Sequence, residues 1–305
     1  MQVNSKPERP FWVVAHRGVR TDKETNRIAP ENTIPAFQEA ARYGAAIELD
    51  VMTTADGKLA IHHDWNTGRI FKIAGKQKPV SQTSWKELAN AKLNVQQHEA
   101  DVNRLMGKEA HYQTPDKFLT VSTPQLDTVL DEVPDTHIFV ELKAVKGKKQ
   151  DLAKAVVDTI HRKQAKERVT VISFDAYSLR QVKEQDPSIR TALNFTLPTA
   201  FRNNKPFLWA YTRLFAKGWA KADGLQPNYA SATPTLVKLG HSAGMPVVPW
   251  VNDETRAQEQ ATFPRLLAMG VDGIITNAVD LLKQTMGKST SEAPPNALSE
   301  SKAQL

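Results

Sequence analysis

The chain of 305 residues contains no cysteine, which excludes disulfides, thiolate catalysis and cysteine-ligated zinc. It also lacks an apolar run long enough to cross a bilayer, and residues 1–10 are too polar for a signal peptide. Acidic residues are outnumbered by basic ones, 33 against 40, so the net charge is +7. A basic surface favours anionic partners, whether phosphorylated small molecules, membrane surfaces or nucleic acid, and charge alone does not choose among them.

What the chain does have is a regular alternation of strand-like and helix-like segments. Eight apolar, strand-like runs lie at residues 12–15, 46–52, 137–143, 169–174, 190–194, 224–226, 247–251 and 273–276. Amphipathic stretches separate them, as where Leu152, Val156 and Ile160 recur at helical spacing. This alternation predicts an α/β protein of the (β/α)₈ (TIM) barrel type over residues 11–286, with its active site at the carboxyl ends of the strands.

Two stretches fall outside the alternation. An insertion after the second strand region, at about residues 66–122, contains one convincing helix at 84–93 and then a polar run at 94–116. Because the insertion leaves from the loop after His63, we expect it to lie over or beside the barrel mouth. Residues 287–305 are rich in Ser, Ala, Pro and Lys, a composition that predicts a disordered tail.

Three acidic residues lie on predicted strands. Glu48 and Asp50 are two residues apart on the second strand, so their side chains point to the same side, and Glu141 lies on the third strand. Such an all-oxygen set suits one hard divalent cation, Mg²⁺ or Ca²⁺. The alternative is an ordinary ion network in which these acids pair with Arg17 and Lys143, since buried charge must be paired or bound to metal.

Two histidines near the same strand ends are candidates for proton transfer. His16 ends the first strand, and His62 and His63 follow the short return strand after Asp50. Imidazole titrates near neutral pH and can therefore accept or donate a proton there. Because alternation along the strand sends His62 and His63 to opposite faces, only one of them can face the site.

Further polar and aromatic residues follow these strands. Arg17 and Lys143 could bind phosphoryl oxygens, with charge balance against the acids as a compatible role. Glu31 could orient His16 or Arg17, or simply favour the start of the first helix, and Asn32 is a plausible N-cap of that helix. Trp250 ends the seventh strand, where we expect it to wall a substrate pocket rather than only fill the core.

Residues 207–219 are unusually aromatic. Their spacing favours a helix packed on the barrel over a lipid-contacting rim. Trp209 does not fit a single apolar face, so peripheral membrane or lipid contact stays open as an alternative.

The ordered motifs of the chain resemble the glycerophosphodiester phosphodiesterases. They are His16-Arg17-Gly18, Pro30-Glu31-Asn32-Thr33, Glu48-Leu49-Asp50-Val51, Thr54-Ala55-Asp56-Gly57, His63-Asp64, Glu141-Leu142-Lys143, Ser173-Phe174-Asp175, Trp250-Val251-Asn252-Asp253 and 270–276. The resemblance implies a (β/α)₈ barrel, one divalent cation and hydrolysis of small glycerophosphodiesters to glycerol 3-phosphate and an alcohol. It further implies His16 as the base, His63 as the acid and attack by the neighbouring glycerol hydroxyl through a cyclic phosphate. No nucleic-acid partner is expected.

The chain departs from that family pattern in its loops. The loop between His16 and Pro30 is longer than usual, and residues 94–116 have no obvious match. Thr276-Asn277-Ala278-Val279-Asp280 replaces the usual acid and proline after the eighth strand. These changes bear on substrate choice more than on reaction type. A lysophospholipase D or sphingomyelinase D acting on a lipid is therefore the alternative enzyme, and a catalytically idle basic barrel is the alternative from a different class.

Overall fold

The computed structural model describes residues 10–143, 149–251 and 254–291. The strands are β1 (Trp12–His16), β2 (Ala46–Thr53), β3 (Leu59–Ile61), β4 (Phe71–Lys72), β5 (Lys92–Leu93), β6 (Ile138–Leu142), β7 (Val169–Ser173), β8 (Arg190–Phe195), β9 (Gly224–Pro227) and β10 (Gly273–Thr276). The α-helices are α1 (Ile34–Arg42), α2 (Trp85–Ala89), α3 (Val95–Met106), α4 (Leu126–Glu132), α5 (Lys149–Arg162), α6 (Ala176–Gln185), α7 (Lys205–Ala210), α8 (Pro234–Ser242), α9 (Arg256–Ala268) and α10 (Val279–Ser291). A π-helical segment, Tyr211–Trp219, continues α7.

Seven strands form a parallel sheet in the order β10-β1-β2-β6-β7-β8-β9. Residues 247–251 close the circle, because single parallel bridges join Val247 to Leu225 of β9 and Trp250 to Ile275 of β10. The predicted (β/α)₈ barrel architecture is therefore confirmed. In its register, His16 lies beside Glu48, and Asp50 lies beside Glu141.

The apolar runs that predict the strands are buried on both faces, as a parallel sheet covered by helices requires. The main core lies between the barrel and its helices and includes Phe37, Ile47 and Leu49. A smaller core inside the barrel includes Phe139 and Ile172. Full burial of each large side chain contributes roughly 1.5–3 kcal/mol, so the scaffold that positions the strand ends is rigid.

The insertion is more ordered than the sequence indicates. Its helix α2 begins with a capping box between Ser84 and Glu87 but ends at Ala89, earlier than predicted, because Lys92–Leu93 forms strand β5 instead. The run 94–116, expected to be polar and irregular, contains the longer helix α3. Buried His98, Val102 and Leu105 form one face of α3 at spacings of four and three residues. This face escaped prediction because a histidine occupies one of its three apolar positions.

The carboxyl-terminal helix α10 continues past residue 286, where the barrel was predicted to end, to Ser291. Residues 292–305 of the predicted tail lie outside the described residues, as do Asn252 and Asp253. Across the described residues, none of the helices combines the length and the apolar character needed to span a bilayer.

Candidate active site

Three carboxylates meet at the carboxyl end of the barrel strands. Glu48, Asp50 and Glu141 are all buried, and one oxygen from each lies within 4.8 Å of the others. Burial, together with the charges of Asp50 and Glu141, raises the pKa of Glu48 well above its ordinary value. Burial likewise raises the pKa of Glu141. The set therefore carries more negative charge than its surroundings neutralise, and it fits a bound cation.

Two cationic side chains balance part of this charge. The Lys143 ammonium lies 3.1 Å from Asp50 Oδ1 and 2.7 Å from Glu141 Oε1, and Arg17 Nε lies 3.4 Å from Asp50 Oδ2. Burial acts to raise the pKa of Asp50, but Lys143 and Arg17 outweigh it and hold that pKa below its ordinary value. The structure thus places Arg17 and Lys143 in the expected ion pairs, and both line the cavity beside the acids; their binding of a phosphate stays a prediction.

Asn32 has a different task from the N-cap that the sequence predicts. Thr33 occupies the N-cap position of α1, whereas the Asn32 side chain donates to Asp50 Oδ2 at 2.9 Å and accepts from the Asp50 backbone N–H at 3.3 Å. Arg17 and Asn32 both have φ of 57°. In this left-handed conformation the Arg17 backbone N–H donates to Glu48 Oε2 at 3.0 Å. Backbone strain is thus used to orient two of the three acids.

His16 is held by Asn277, which follows the neighbouring strand β10. Its Nδ1 lies 3.1 Å from Asn277 Oδ1, while its Nε2 lies 3.9 Å from Glu48 Oε2. The Asn277 amide is oriented by Glu259, whose Oε1 accepts from Asn277 Nδ2 at 2.7 Å. We therefore assign the proton of neutral His16 to Nδ1, which leaves Nε2 as a proton acceptor. Burial, then the charges of Arg17 and Arg20, lowers the pKa of His16 well below its ordinary value.

His63 lines the cavity of the candidate site, whereas His62 does not. His63 lines the same cavity as His16, Glu48 and Glu141, and its Nδ1 lies 2.9 Å from Asp64 Oδ1. Burial would raise the pKa of Asp64, but the His63 hydrogen bond and Arg69 lower it, so Asp64 is an anionic acceptor. The His62 side chain is buried, and burial lowers its pKa.

Glu31 is the centre of an arginine cluster rather than a partner of His16. It accepts from Arg17 NH1 at 3.1 Å, pairs with Arg20 NH2 at 2.8 Å and is hydrogen-bonded by Arg69. Burial would raise the pKa of Glu31, but Arg20, Arg17 and Arg69 outweigh it and hold the pKa well below its ordinary value. Arg69 comes from the insertion and also donates to Asp64 and, at 2.7 Å, to Asp101. The insertion is thereby tied to the barrel mouth.

Aromatic and amide side chains complete the cavity wall. Trp250 and the half-exposed Phe174 meet edge to face with ring centroids 5.7 Å apart, and Trp250 Nε1 donates to the Gln226 carbonyl at 3.0 Å. Asn194 Nδ2 donates to Glu141 Oε2 at 3.3 Å. The expected wall position of Trp250 agrees with this geometry. The sequence does not single out Asn194 or Phe174, because their roles depend on the register of β8 and β7 against β6.

A larger cavity, about 700 Å³, opens at the opposite end of the barrel and is lined by residues such as Phe11, Trp12 and Gln38. Its larger volume does not make this cavity the better candidate for the active site. The residues able to hold a metal and move protons lie at the carboxyl end, where barrels of this type carry their active sites.

Comparison with known proteins gives a consistent family assignment. The model of the Glycerophosphoryl diester phosphodiesterase family matches residues 16–281. A glycerophosphodiester phosphodiesterase of Caldanaerobacter subterraneus is 28% identical over 273 residues, covering 88% of this chain and 95% of the relative. A probable glycerophosphodiester phosphodiesterase 2 of Mycobacterium tuberculosis is 28% identical over 280 residues, covering 90% and 89%.

Solved structures share the fold. A putative glycerophosphoryl diester phosphodiesterase from Silicibacter pomeroyi superposes with a TM-score of 0.74 at 21% identity, covering 92% of this chain and 95% of that one. A phosphodiesterase from Oleispira antarctica, solved in complex with the product sn-glycerol-3-phosphate, gives a TM-score of 0.69 at 19% identity, covering 90% and 96%.

Proposed function

The chain belongs to the glycerophosphoryl diester phosphodiesterase family, and we propose that it hydrolyses small glycerophosphodiesters to glycerol 3-phosphate and an alcohol with a divalent cation and two histidines. The single observation that carries the proposal is the cavity at the carboxyl end of the strands. His16, His63, Glu48, Glu141 and Lys143 all line it. The candidate acid, base and phosphate-binding groups thus face one common space, as a reacting phosphodiester requires.

The buried acids supply the cation site of this proposal. Glu48, Asp50 and Glu141 would hold one Mg²⁺ or Ca²⁺, because hard cations prefer carboxylate oxygens and because Glu48 lacks full charge balance without one. A bound cation would polarise the phosphoryl group and offset its negative charge. Arg17 and Lys143, which already lie beside Asp50, would bind the remaining phosphoryl oxygens.

The two histidines supply the proton transfers. His16, neutral and with Nε2 free to accept, removes the proton from the glycerol 2-hydroxyl as its oxygen attacks phosphorus. The bond from phosphorus to the alcohol oxygen breaks, and His63, held by Asp64, donates a proton to that oxygen. Water then opens the resulting cyclic phosphate with the roles of the histidines reversed, giving glycerol 3-phosphate. The support for this product is the glycerol 3-phosphate bound to the structural relative from Oleispira antarctica.

The decisive experiment measures glycerol 3-phosphate release from glycerophosphocholine, glycerophosphoethanolamine and glycerophosphoglycerol, with and without a chelator. We expect thorough metal removal to abolish turnover and added Mg²⁺ or Ca²⁺ to restore it. The variant Glu48→Gln should weaken metal binding, measured by calorimetry on the apoprotein, because the amide keeps the shape but removes an anionic ligand. Unchanged turnover after metal removal would refute the metal assignment.

Lysophosphatidylcholine is the discriminating competitor substrate. A strong preference for it over glycerophosphocholine would replace the glycerophosphodiester assignment by a lysophospholipase D. If the metal-bound protein hydrolysed none of the phosphodiesters tested, the alternative of a catalytically idle barrel would be supported instead.

A further inference from the structure

The segment between Asp186 and Asp223 has an unusual charge pattern. Residues 187–222 contain no Asp or Glu, but they contain six basic residues, Arg190, Arg202, Lys205, Arg213, Lys217 and Lys221. This stretch spans β8, α7 and the π-helical segment Tyr211–Trp219. Positive charge is thus concentrated in one segment of a chain that is already basic.

The helical part of this segment buries only one of its faces. Leu208, Thr212 and Ala216, spaced four residues apart, are fully buried against the barrel. The opposite side leaves large apolar side chains in solvent: Leu214 is 61% exposed, and Trp209 is 47% exposed. Phe201, Phe215 and Trp219 are each about two-fifths exposed. We call these five apolar residues, with the exposed Lys205, Arg213, Lys217 and Lys221, the basic-aromatic face.

The aromatic part of this face is preorganised. Successive ring centroids lie 4.5 Å apart for Phe201 and Phe207, 5.9 Å for Phe207 and Tyr211, 5.4 Å for Tyr211 and Phe215, and 5.6 Å for Phe215 and Trp219. Because the rings pack against one another along the helix, their faces are largely occupied by neighbours. They are thus poorly placed to stack on nucleic-acid bases, yet they remain available to an apolar phase.

We propose that the basic-aromatic face binds the surface of an anionic lipid bilayer. Exposed Leu and Trp flanked by Lys and Arg match a bilayer interface, where apolar side chains enter the acyl boundary and cations contact anionic head groups. Aromatic rings also favour that interfacial level. Charge complementarity favours lipid over a second copy of this chain, because two such faces would bring like charges together.

The position of the face sets the orientation on the membrane. Phe201 lies on the turn Thr199–Phe201 just after β8, near the barrel mouth, and the helix then runs back along the flank of the barrel. The flank therefore rests on lipid while the mouth opens to water. Lipid binding by this face does not depend on the proposed hydrolysis. Its consequence for substrate supply rests on the proposed function: the bound protein would stay where deacylation of glycerophospholipids, the class of reaction that supplies glycerophosphodiesters, releases the substrate.

The test is sedimentation of the full chain with vesicles of phosphatidylcholine alone and with about one-quarter phosphatidylglycerol. We expect binding to the anionic vesicles that weakens as salt is raised and little binding to phosphatidylcholine alone. The double variant Leu214→Ser/Trp219→Ser should lower the partition coefficient at least about tenfold, since each side chain contributes apolar burial. Its matched control, Leu119→Ser/Trp65→Ser, removes an exposed Leu and an exposed Trp elsewhere and should bind like the wild type.

A second pair of variants tests the charge. Lys205→Glu/Lys221→Glu should weaken binding to anionic vesicles severalfold. The matched control, Lys86→Glu/Lys92→Glu, reverses the charge of two exposed lysines of the insertion and should have little effect on binding. Failure of the folded wild type to pellet with anionic vesicles would overturn the proposal. The proposal would also be overturned if the control variants lost as much binding as the variants of the face. Two further results would overturn it: a dimer in solution that the Leu214 variant dissociates, or binding of single-stranded RNA in preference to lipid.

Discussion

At the scale of single residues, the proton chemistry depends on which imidazole nitrogen is free. In His16 the contact with Asn277 occupies Nδ1, and in His63 the contact with Asp64 does the same. Both residues therefore keep Nε2 for substrate, and they differ in the charge of the group behind them. A neutral amide lies behind His16, the proposed base, whereas the carboxylate of Asp64 lies behind His63, the proposed acid.

This assignment predicts that His16→Ala and His63→Ala each lower kcat by roughly 10²-fold or more, because each removes one proton-transfer group. His62→Ala should leave kcat within a few-fold, since its buried side chain does not line the cavity that His63 shares with His16. Steady-state kinetics on glycerophosphocholine, with circular dichroism to verify folding, provides the measurement. Full activity in His63→Ala combined with loss in His62→Ala would reverse the assignment of the acid.

Asn277 acts on catalysis through His16, so it is a positioning residue. Asn277→Ala should lower kcat roughly tenfold with little change in KM, because the imidazole loses the partner that selects its tautomer. The matched control is Thr276→Val, which removes another hydrogen bond to Glu259 without touching His16. If both variants lose kcat in proportion to their loss of thermal stability, Asn277 is only structural.

The residues found from the sequence and those missed differ in a physical way. Glu48, Asp50 and Glu141 could be predicted to converge, because alternation along a strand and the common edge of parallel strands fix where they point. Asn277 and Arg69 could not, because each reaches its partner from a segment whose spatial position the local pattern does not specify. The prediction that Asn32 caps α1 is wrong for the same reason, because its partner Asp50 lies on a different segment.

At the scale of elements, strands were easier to predict than the insertion. Each barrel strand is a short apolar run between polar turns, which the periodicity shows directly. Helix α3 has only a small apolar face, and it is stabilised where Val102 packs on Ile28 and Tyr112. The sequence pattern of α3 alone does not reveal these contacts. The long loop after His16 is likewise ordered by distant contacts, such as Thr21 donating to the Asn277 carbonyl at 2.7 Å.

Arg69 joins the insertion to the barrel through Glu31, Asp64 and Asp101. We expect Arg69→Ala to lower the free energy of unfolding by about 2 kcal/mol, less than for a fully buried pair because the side chain is partly exposed. It should also speed proteolysis within residues 66–122 and raise KM. Arg42→Ala, which removes a largely exposed arginine 3.5 Å from Glu39, is the control and should change each quantity little because Arg27 still pairs with Glu39. Equal behaviour of the two variants would show that the cluster does not hold the insertion.

At the scale of the whole molecule, the barrel closes through residues 247–251, which lie between β9 and β10 and form the closing seam. Backbone hydrogen bonds join this segment to both neighbours, as where Val248 N–H donates to the Leu225 carbonyl and Val251 N–H donates to the Ile275 carbonyl, each at 2.9 Å. Pro246 and Pro249 have no N–H to donate, and the Val247 N–H donates to the Asp272 carboxylate at 2.7 Å. Glu259 contributes from α9 by accepting from Thr276 and from the Asn277 backbone N–H at 3.0 Å. Global stability should therefore be sensitive to groups at this seam.

Glu259 makes the free energy of unfolding depend on pH. Burial raises its pKa to about 7, in spite of donors from Thr276 and Asn277 that favour the anion. A carboxyl group with a raised pKa in the folded state stabilises the fold below its unfolded pKa, and this contribution is lost as pH rises through about 7. Buried histidines such as His98, whose pKa burial lowers to about 4, have the opposite trend, so wild-type stability alone cannot isolate Glu259.

Comparison with Glu259→Gln removes the histidine contribution, because it is common to both proteins. We expect the free energy of unfolding of the wild type, relative to the variant, to fall by roughly 2 to 3 kcal/mol between pH 5 and pH 8. Urea denaturation of both proteins at several pH values measures this difference. A difference that does not change with pH would mean that the donors from Thr276 and Asn277 keep Glu259 ionised throughout, and that the seam is held by a permanent buried anion.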